Sequence, residues 1–175
     1  TQTSRGLGDV YKRQVLILQA HPSENSFNQA ILDTALVSLQ RSGINPTLIR
    51  LGKEKLRADT ALKKPSALIL IYPTWWGGYP ASLMQWIDEM YQSQSDLLQD
   101  VRTILSITTH GSSKFINLLQ GEWGRSYTKN RIAKICDNSV QLKWTSLYKI
   151  DRCTDEELKD YLTKVKSDVT KFLAI

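Results

Sequence analysis

Val15-Leu16-Ile17-Leu18-Gln19-Ala20 and Ala67-Leu68-Ile69-Leu70-Ile71-Tyr72 decide the architecture. Each is a short, continuous apolar run without alternation, which is the pattern of a strand covered on both faces in a parallel sheet. Working outward, Val101 to Thr109 and Val140 to Ile150 have the same character, and Pro46-Thr47-Leu48-Ile49-Arg50-Leu51 is a shorter fifth candidate. Between these runs the apolar residues change period. Phe27, Ile31, Ala35 and Leu39, with Leu32 and Leu36 beside them, recur at helical spacing on a segment that Gly43 stops. Pro80 to Met90 predicts a second helix, with Pro80 at its first position, and Glu122 to Ile135 a third. Asp155 to Leu173 predicts the last, capped by Thr154 and striped by Leu158, Leu162, Val165, Val169 and Phe172.

Strands that alternate with helices imply right-handed crossovers and an α/β three-layer sandwich. Five strands favour the flavodoxin-like parallel order 2-1-3-4-5, in which ligands bind beyond the carboxyl ends of the strands, at the switch point between strands one and three. A chain of 175 residues fits one such domain. Its composition, 41% hydrophobic and 23% charged, excludes a disordered chain or a disulfide-dense scaffold. No apolar run approaches the roughly 20 residues of a membrane helix, and no secretion signal is evident, so a cytoplasmic protein is expected. The two cysteines, Cys136 and Cys153, are then expected to be free thiols.

Residues 1–14 stand apart. They lack an apolar period and end in Asp9-Val10-Tyr11-Lys12-Arg13-Gln14, which reads as translated sequencing-adapter DNA; a non-native leader over 1–14 before a domain over 15–175 is expected, with a natural basic tail as the alternative. The formal net charge of +6 includes +2 from that leader. The remaining basic residues are scattered without aromatic interleaving, so no nucleic-acid partner is expected.

Three loops carry the unusual residues. His21-Pro22-Ser23-Glu24-Asn25-Ser26-Phe27-Asn28 follows the first strand, and its helix N-terminus suits either a plain cap or a bound phosphate. Tyr72-Pro73-Thr74-Trp75-Trp76-Gly77-Gly78-Tyr79-Pro80 follows the third. Its aromatics suit a planar ligand, a hydrophobic corner or a subunit contact. The fourth ends in Thr108-Thr109-His110-Gly111-Ser112-Ser113, with a glycine that frees the backbone. In the order 2-1-3-4-5 strands one, three and four are neighbours, so the three loops converge on one crevice.

These loops are where the chain resembles the flavodoxin-like NAD(P)H-dependent oxidoreductases, which include quinone reductases and ancillary flavoproteins of bacterial potassium-efflux systems. The resemblance runs from Val15 to about Asp151. It rests on His21-Pro22 with Ser26-Phe27-Asn28, on Pro73-Thr74-Trp75-Trp76 followed by Pro80-Ala81, and on Thr108-Thr109 with Gly111. It implies a cofactor site of His21, Ser26, Phe27, Asn28, Pro73, Thr74, Trp75, Trp76, Thr108, Thr109, His110 and Gly111. The first loop would hold the flavin phosphate, the second would lie along the ring, and the third would close on its pyrimidine edge. FMN is the implied cofactor, with FAD the alternative, because relatives that hold FAD often carry longer tails. NAD(P)H is the implied co-substrate, and the acceptor a small molecule such as a quinone. His110 stands where many relatives have glycine, and the tyrosine and histidine that quinone reductases often place shortly afterwards have no clear equivalent. The segment from His110 to Lys114, with Gly121-Glu122 beyond it, marks a variant subgroup. No catalytic residue is therefore assigned, and His110 is the one candidate for proton handling. The resemblance also implies a homodimer. It leaves a second function open, that of a flavin-binding ancillary subunit of a membrane transporter. Hydrolysis is a poor fit because no Gly-x-Ser-x-Gly elbow occurs. The histidines and cysteines show no metal-ligand spacing.

Overall fold

The computed structural model describes residues 13–21, 23–52, 62–75, 77–120 and 122–174. Five parallel strands form one sheet: β1 (Val15–Gln19), β2 (Thr47–Arg50), β3 (Ala67–Thr74), β4 (Thr103–His110) and β5 (Gln141–Leu147). Their order is β2-β1-β3-β4-β5, as the strand count predicted. The helices are α1 (Phe27–Arg41), α2 (Ala81–Gln92), α3 (Lys114–Leu119), α4 (Trp123–Tyr127) and α5 (Asp155–Leu173). The apolar runs are continuous because alternate residues enter two different cores. Val15, Ile17, Ile69, Ile71, Leu105 and Ile107 face α1 and α5. Leu16, Leu18, Leu68, Leu70, Tyr72 and Ile104 face α2 and the segment after α4.

α5 has the bounds and the cap that the sequence predicts. Thr154 accepts from the Glu157 backbone N–H at 3.2 Å, and the Glu157 carboxylate accepts from the Thr154 N–H at 2.7 Å, a reciprocal capping box. Its stripe includes a residue the periodicity left out. Tyr161 is buried, and its hydroxyl lies 3.2 Å from the Thr108 carbonyl and 3.1 Å from that of Thr145, where it holds the upper ends of β4 and β5.

Several boundaries differ from the reading of the sequence. Pro73 and Thr74 extend β3 beyond Tyr72, and His110 extends β4 beyond Thr109. The two central strands run in register to the pair Thr74 and His110, so these residues are the rim of the sheet rather than loop. Pro80 caps α2 and is not its first helical residue. The predicted helix over 122–135 is broken into α4, a π-helical turn at Thr128–Ile132 and a 3-10 turn at Ala133–Ile135. The physical cause is local. Glu122 enters at φ 43°, and the Thr128 hydroxyl donates to the Gly124 carbonyl at 2.7 Å, which draws the backbone out of regular α geometry. α3 was not predicted, since Phe115, Ile116, Leu118 and Leu119 share no buried face.

Of the segment set aside as a leader, residues 1–12 lie outside the described residues. The Gln14 carbonyl accepts from the Ser66 N–H at 2.9 Å. The Arg13 guanidinium donates to the Leu173 carbonyl. Cys136 and Cys153 are free, as expected. Among the described residues no helix is long and apolar enough to cross a membrane.

Candidate functional site

The carboxyl ends of β1, β3 and β4 are adjacent because β1 and β4 are the two partners of β3. β1 stops at Gln19 while β3 continues to Thr74, and this difference in length makes a step at the switch point. His21 sits on the low side of the step. Its ring lies 5.8 Å from that of Trp75, so the loops after β1 and β3 meet directly. The Pro22 and Trp76 assignments lie outside the described residues, as does Gly121.

Ser26 occupies the N-cap position of α1, yet its side chain makes no capping bond to the helix. Its hydroxyl donates instead to the Ser23 carbonyl at 3.0 Å. The N–H groups of the first turn, at Phe27 and Asn28, are thus left to whatever lies above them. The Asn28 side chain faces inward. It is buried, and its Oδ1 accepts from the Gln19 side chain at 3.2 Å, which ties the helix start to the end of β1. Only the backbone of Asn28 is placed to meet a ligand.

The turn after β3 is tight. Trp75 and Gly78 bond to each other through both backbone N–H groups, at 3.2 and 2.9 Å, with Gly77 at φ 74°. A Cβ at Gly77 would meet the Gln120 side chain at 2.9 Å, and one at Gly78 the Trp123 ring at 3.0 Å. Both glycines therefore let the Gln120 and Trp123 side chains close over the turn. Trp75 is 44% exposed, whereas Tyr79 and Tyr72 are buried and meet edge-on at 4.7 Å. Tyr79 pairs with the Thr128 hydroxyl. Burial pushes both phenols well above the ordinary tyrosine range, so they remain neutral hydrogen-bonding groups.

Among the described residues, a concavity of about 590 Å³ lies between the ends of β3 and β4, against Pro73, Thr74, Thr109, Gly111, Ser112 and Asp151. A second, about 520 Å³, has an apolar wall of Trp75, Tyr79, Pro80, Met84 and Trp123. Trp75, Gly77 and Gln120 border both, so a polar chamber and an apolar one share a threshold. The Thr74 and Thr108 hydroxyls are bonded at 2.8 Å, which fixes the rim beneath. His110 belongs to neither. It lines a small third recess with Tyr72, Glu122 and Arg125, and its ring stacks on Tyr148 at 4.5 Å.

The structure thus brings Pro73, Thr74, Trp75, Thr109 and Gly111 around one chamber, with His21 alongside Trp75. His110 lines the adjoining recess, which shares Thr74 and Gly77 with that chamber. Sequence reasoning missed Gln120, Ile150 and Asp151. The last two follow β5, whose carboxyl end lies at the same edge of the sheet as the others, so the strand-end rule could have included them. Among the described residues no group of three or more His, Cys, Asp or Glu side chains could hold a metal ion.

Comparison with known proteins agrees with this architecture. An NAD(P)H:quinone oxidoreductase from Methanothermobacter marburgensis superposes with a TM-score of 0.70 at 17% identity, covering 91% of this chain and 96% of that one. An FMN-dependent NADH-azoreductase from Bacillus anthracis, solved with FMN, gives 0.71 at 13% identity over 91% and 98%. The protein Smu.1420 from Streptococcus mutans gives 0.70 at 22% identity over 90% and 99%. No curated protein matches the chain by sequence. A family profile described as the flavodoxin-like fold matches residues 13–127, more than half of the chain, and with the strand order and the step at the end of β1 this assigns the chain to the flavodoxin-like fold family.

Proposed function

We propose that the protein is a flavin-dependent oxidoreductase that passes hydride from NAD(P)H to a small acceptor such as a quinone, with FMN as its bound cofactor. The observation that carries this reading is the pair of chambers, one polar and one apolar, on either side of Trp75 and Gly77. A flavin ring has the same division, with a polar pyrimidine edge and an apolar dimethylbenzene end. The residues present fit such a group. Gly111 gives a ring edge close access to the backbone, and the uncapped first turn of α1 suits a phosphate. The names of the solved relatives support the same chemistry, one a quinone oxidoreductase and one an FMN-dependent azoreductase.

When bound, the flavin supplies the redox chemistry, and the chain supplies binding and orientation. The backbone N–H groups of Phe27 and Asn28 would hold the phosphate, while the Ser26 hydroxyl, donating to the Ser23 carbonyl, shapes the loop beside them. Thr74, Thr109 and Gly111 line the polar edge, while Trp75 makes an apolar wall that excludes water and aligns a flat partner. His110 lines the recess that adjoins the chamber, where its ring stacks on Tyr148, and it remains the one side chain placed near enough to be weighed for proton handling. The nicotinamide and the free thiols suit a cytoplasmic setting.

A homodimer completes the reading. Phe115, Leu118 and Leu119 on α3 are 68%, 61% and 71% exposed beside the crevice, and burying them against a second copy would also roof the apolar chamber. Titration of the purified protein with FMN, followed by NAD(P)H oxidation with an added quinone and light scattering of the same sample, tests all three parts. Flavin uptake with quinone-dependent oxidation and a dimeric mass is the expected outcome. Protein that takes up neither FMN nor FAD would overturn the function. A flavin-loaded but inert protein would favour the ancillary-subunit reading instead.

A further inference from the structure

Asp151 is the only charged side chain among the described residues that line the larger chamber. The rest of that wall is hydroxyl, amide or apolar. Its position is fixed by three features outside the sequence motifs. Lys149, at φ 55°, turns the chain after β5 into a short 3-10 turn, Ile150–Arg152. The Lys149 N–H donates to the Ser112 carbonyl at 3.1 Å, which locks this turn to the loop after β4. The carboxylate then rests against the backbone of Gly111, where a Cβ would come within 3.3 Å of its Oδ2. Gly111 is thus the floor of the chamber and Asp151 its side.

The chemistry of the chamber follows. A carboxylate accepts hydrogen bonds and donates none. The oxidised flavin ring has a single N–H, the imide, on its polar edge, and the polar chamber is the one that matches that edge. We infer that the Asp151 carboxylate accepts the imide N–H of the bound flavin and, by its negative charge, sets the flavin's reduction potential below the value the same site would give without it. This inference rests on the function proposed above. Reduction adds electron density to the ring, and a fixed negative charge within a few ångströms disfavours that gain. Lys149 and Arg152, its basic neighbours in sequence, are exposed, as is Asp151 itself, but they line no part of the chamber, so a ring seated there displaces water from the carboxylate and leaves theirs in place.

The test compares Asp151→Asn and Asp151→Ala with the parent, each loaded with FMN, by dye-equilibration potentiometry and by fluorescence titration of oxidised FMN. Asp160→Asn, a carboxylate on the exposed side of α5, controls for net charge. In both Asp151 variants the affinity for reduced over oxidised flavin should rise three- to tenfold, a shift of about 15 to 30 mV upward for a two-electron couple. Asp151→Asn keeps an acceptor oxygen, so its affinity for oxidised FMN should stay within about twofold of the parent, whereas Asp151→Ala should lose several-fold. Potentials unchanged in both variants, or shifted equally by Asp160→Asn, would overturn the inference while leaving the flavin function intact. A parent that binds no flavin would overturn both.

Discussion

The two faces of the sheet are closed in different ways. On one, α1 and α5 lay Ile31, Ala35, Leu39, Val165, Val169 and Phe172 over the strands, all of them side chains without a polar atom. On the other, α2 shares the work with a broken segment, and the packed layer includes Tyr72 and Trp144 from the sheet and Tyr79, Trp86 and Tyr127 above it, each with a polar atom to place. There the Arg131 guanidinium packs over the Tyr91 ring at 4.4 Å and pairs with Asp88 at 3.2 Å, holding the π-helical turn against α2. The first face is a scaffold in which most positions need only the right volume, Tyr161 with its two hydroxyl contacts excepted. The second must also position the turn after β3, and it does so with hydroxyls and rings that have directional demands.

If that contrast is right, the scaffold face should show the largest response to truncation. Phe172→Ala removes a buried ring from α5 and should lower the unfolding free energy by about 3–5 kcal/mol in urea denaturation. A loss below about 1 kcal/mol would mean that the face repacks freely and that α5 is not what closes it. On the second face the expected response is smaller and of another kind. Tyr79→Phe keeps the ring and deletes the hydroxyl bonded to Thr128, which should cost roughly 0.5–1.5 kcal/mol. Because Thr128 retains its bond to Gly124, a Tyr79→Phe variant as damaged as Phe172→Ala would make the second face the true scaffold. The smallest stability effect belongs to Trp75, which is 44% exposed. Trp75→Ala should stay within about 0.5 kcal/mol of the parent in denaturation, while kcat/KM per bound flavin falls about tenfold. A lower melting temperature with unchanged turnover would make Trp75 a structural corner and move the acceptor elsewhere.

The same contrast explains what the sequence reveals. Burial on one face follows a period, so α1 and α5 are legible from Ile31, Ala35, Val165 and Val169, and Thr154 with Glu157 marks the start of α5. Continuous apolar runs reveal the strands because the two cores take alternate residues. The broken segment has no period to read. Its course depends on Thr128 reaching Gly124 and Tyr79, and on Glu122 in a left-handed conformation, none of which hydropathy records. The loops at the site are visible as clusters of aromatic, small and polar residues. Where each loop begins is not, because Thr74 and Thr109 have side chains at home in either strand or turn. Asp151 lacks any local signal. It reaches the chamber only because β5 pairs with β4 and Lys149 turns the chain back.

Pro73 gives the crevice a further property. The Ile71 carbonyl faces β1, where it accepts from the Ala20 N–H at 2.9 Å. Two residues on, the backbone of position 73 faces the same side, just past the point where β1 has ended. Any other residue would present an N–H there, an invitation for the chain after Gln19 to add another rung. Proline has none to present. The gap between β1 and β3 is therefore held open by a missing donor, and the chain after Ala20 is turned aside toward α1 instead of knitting the crevice shut.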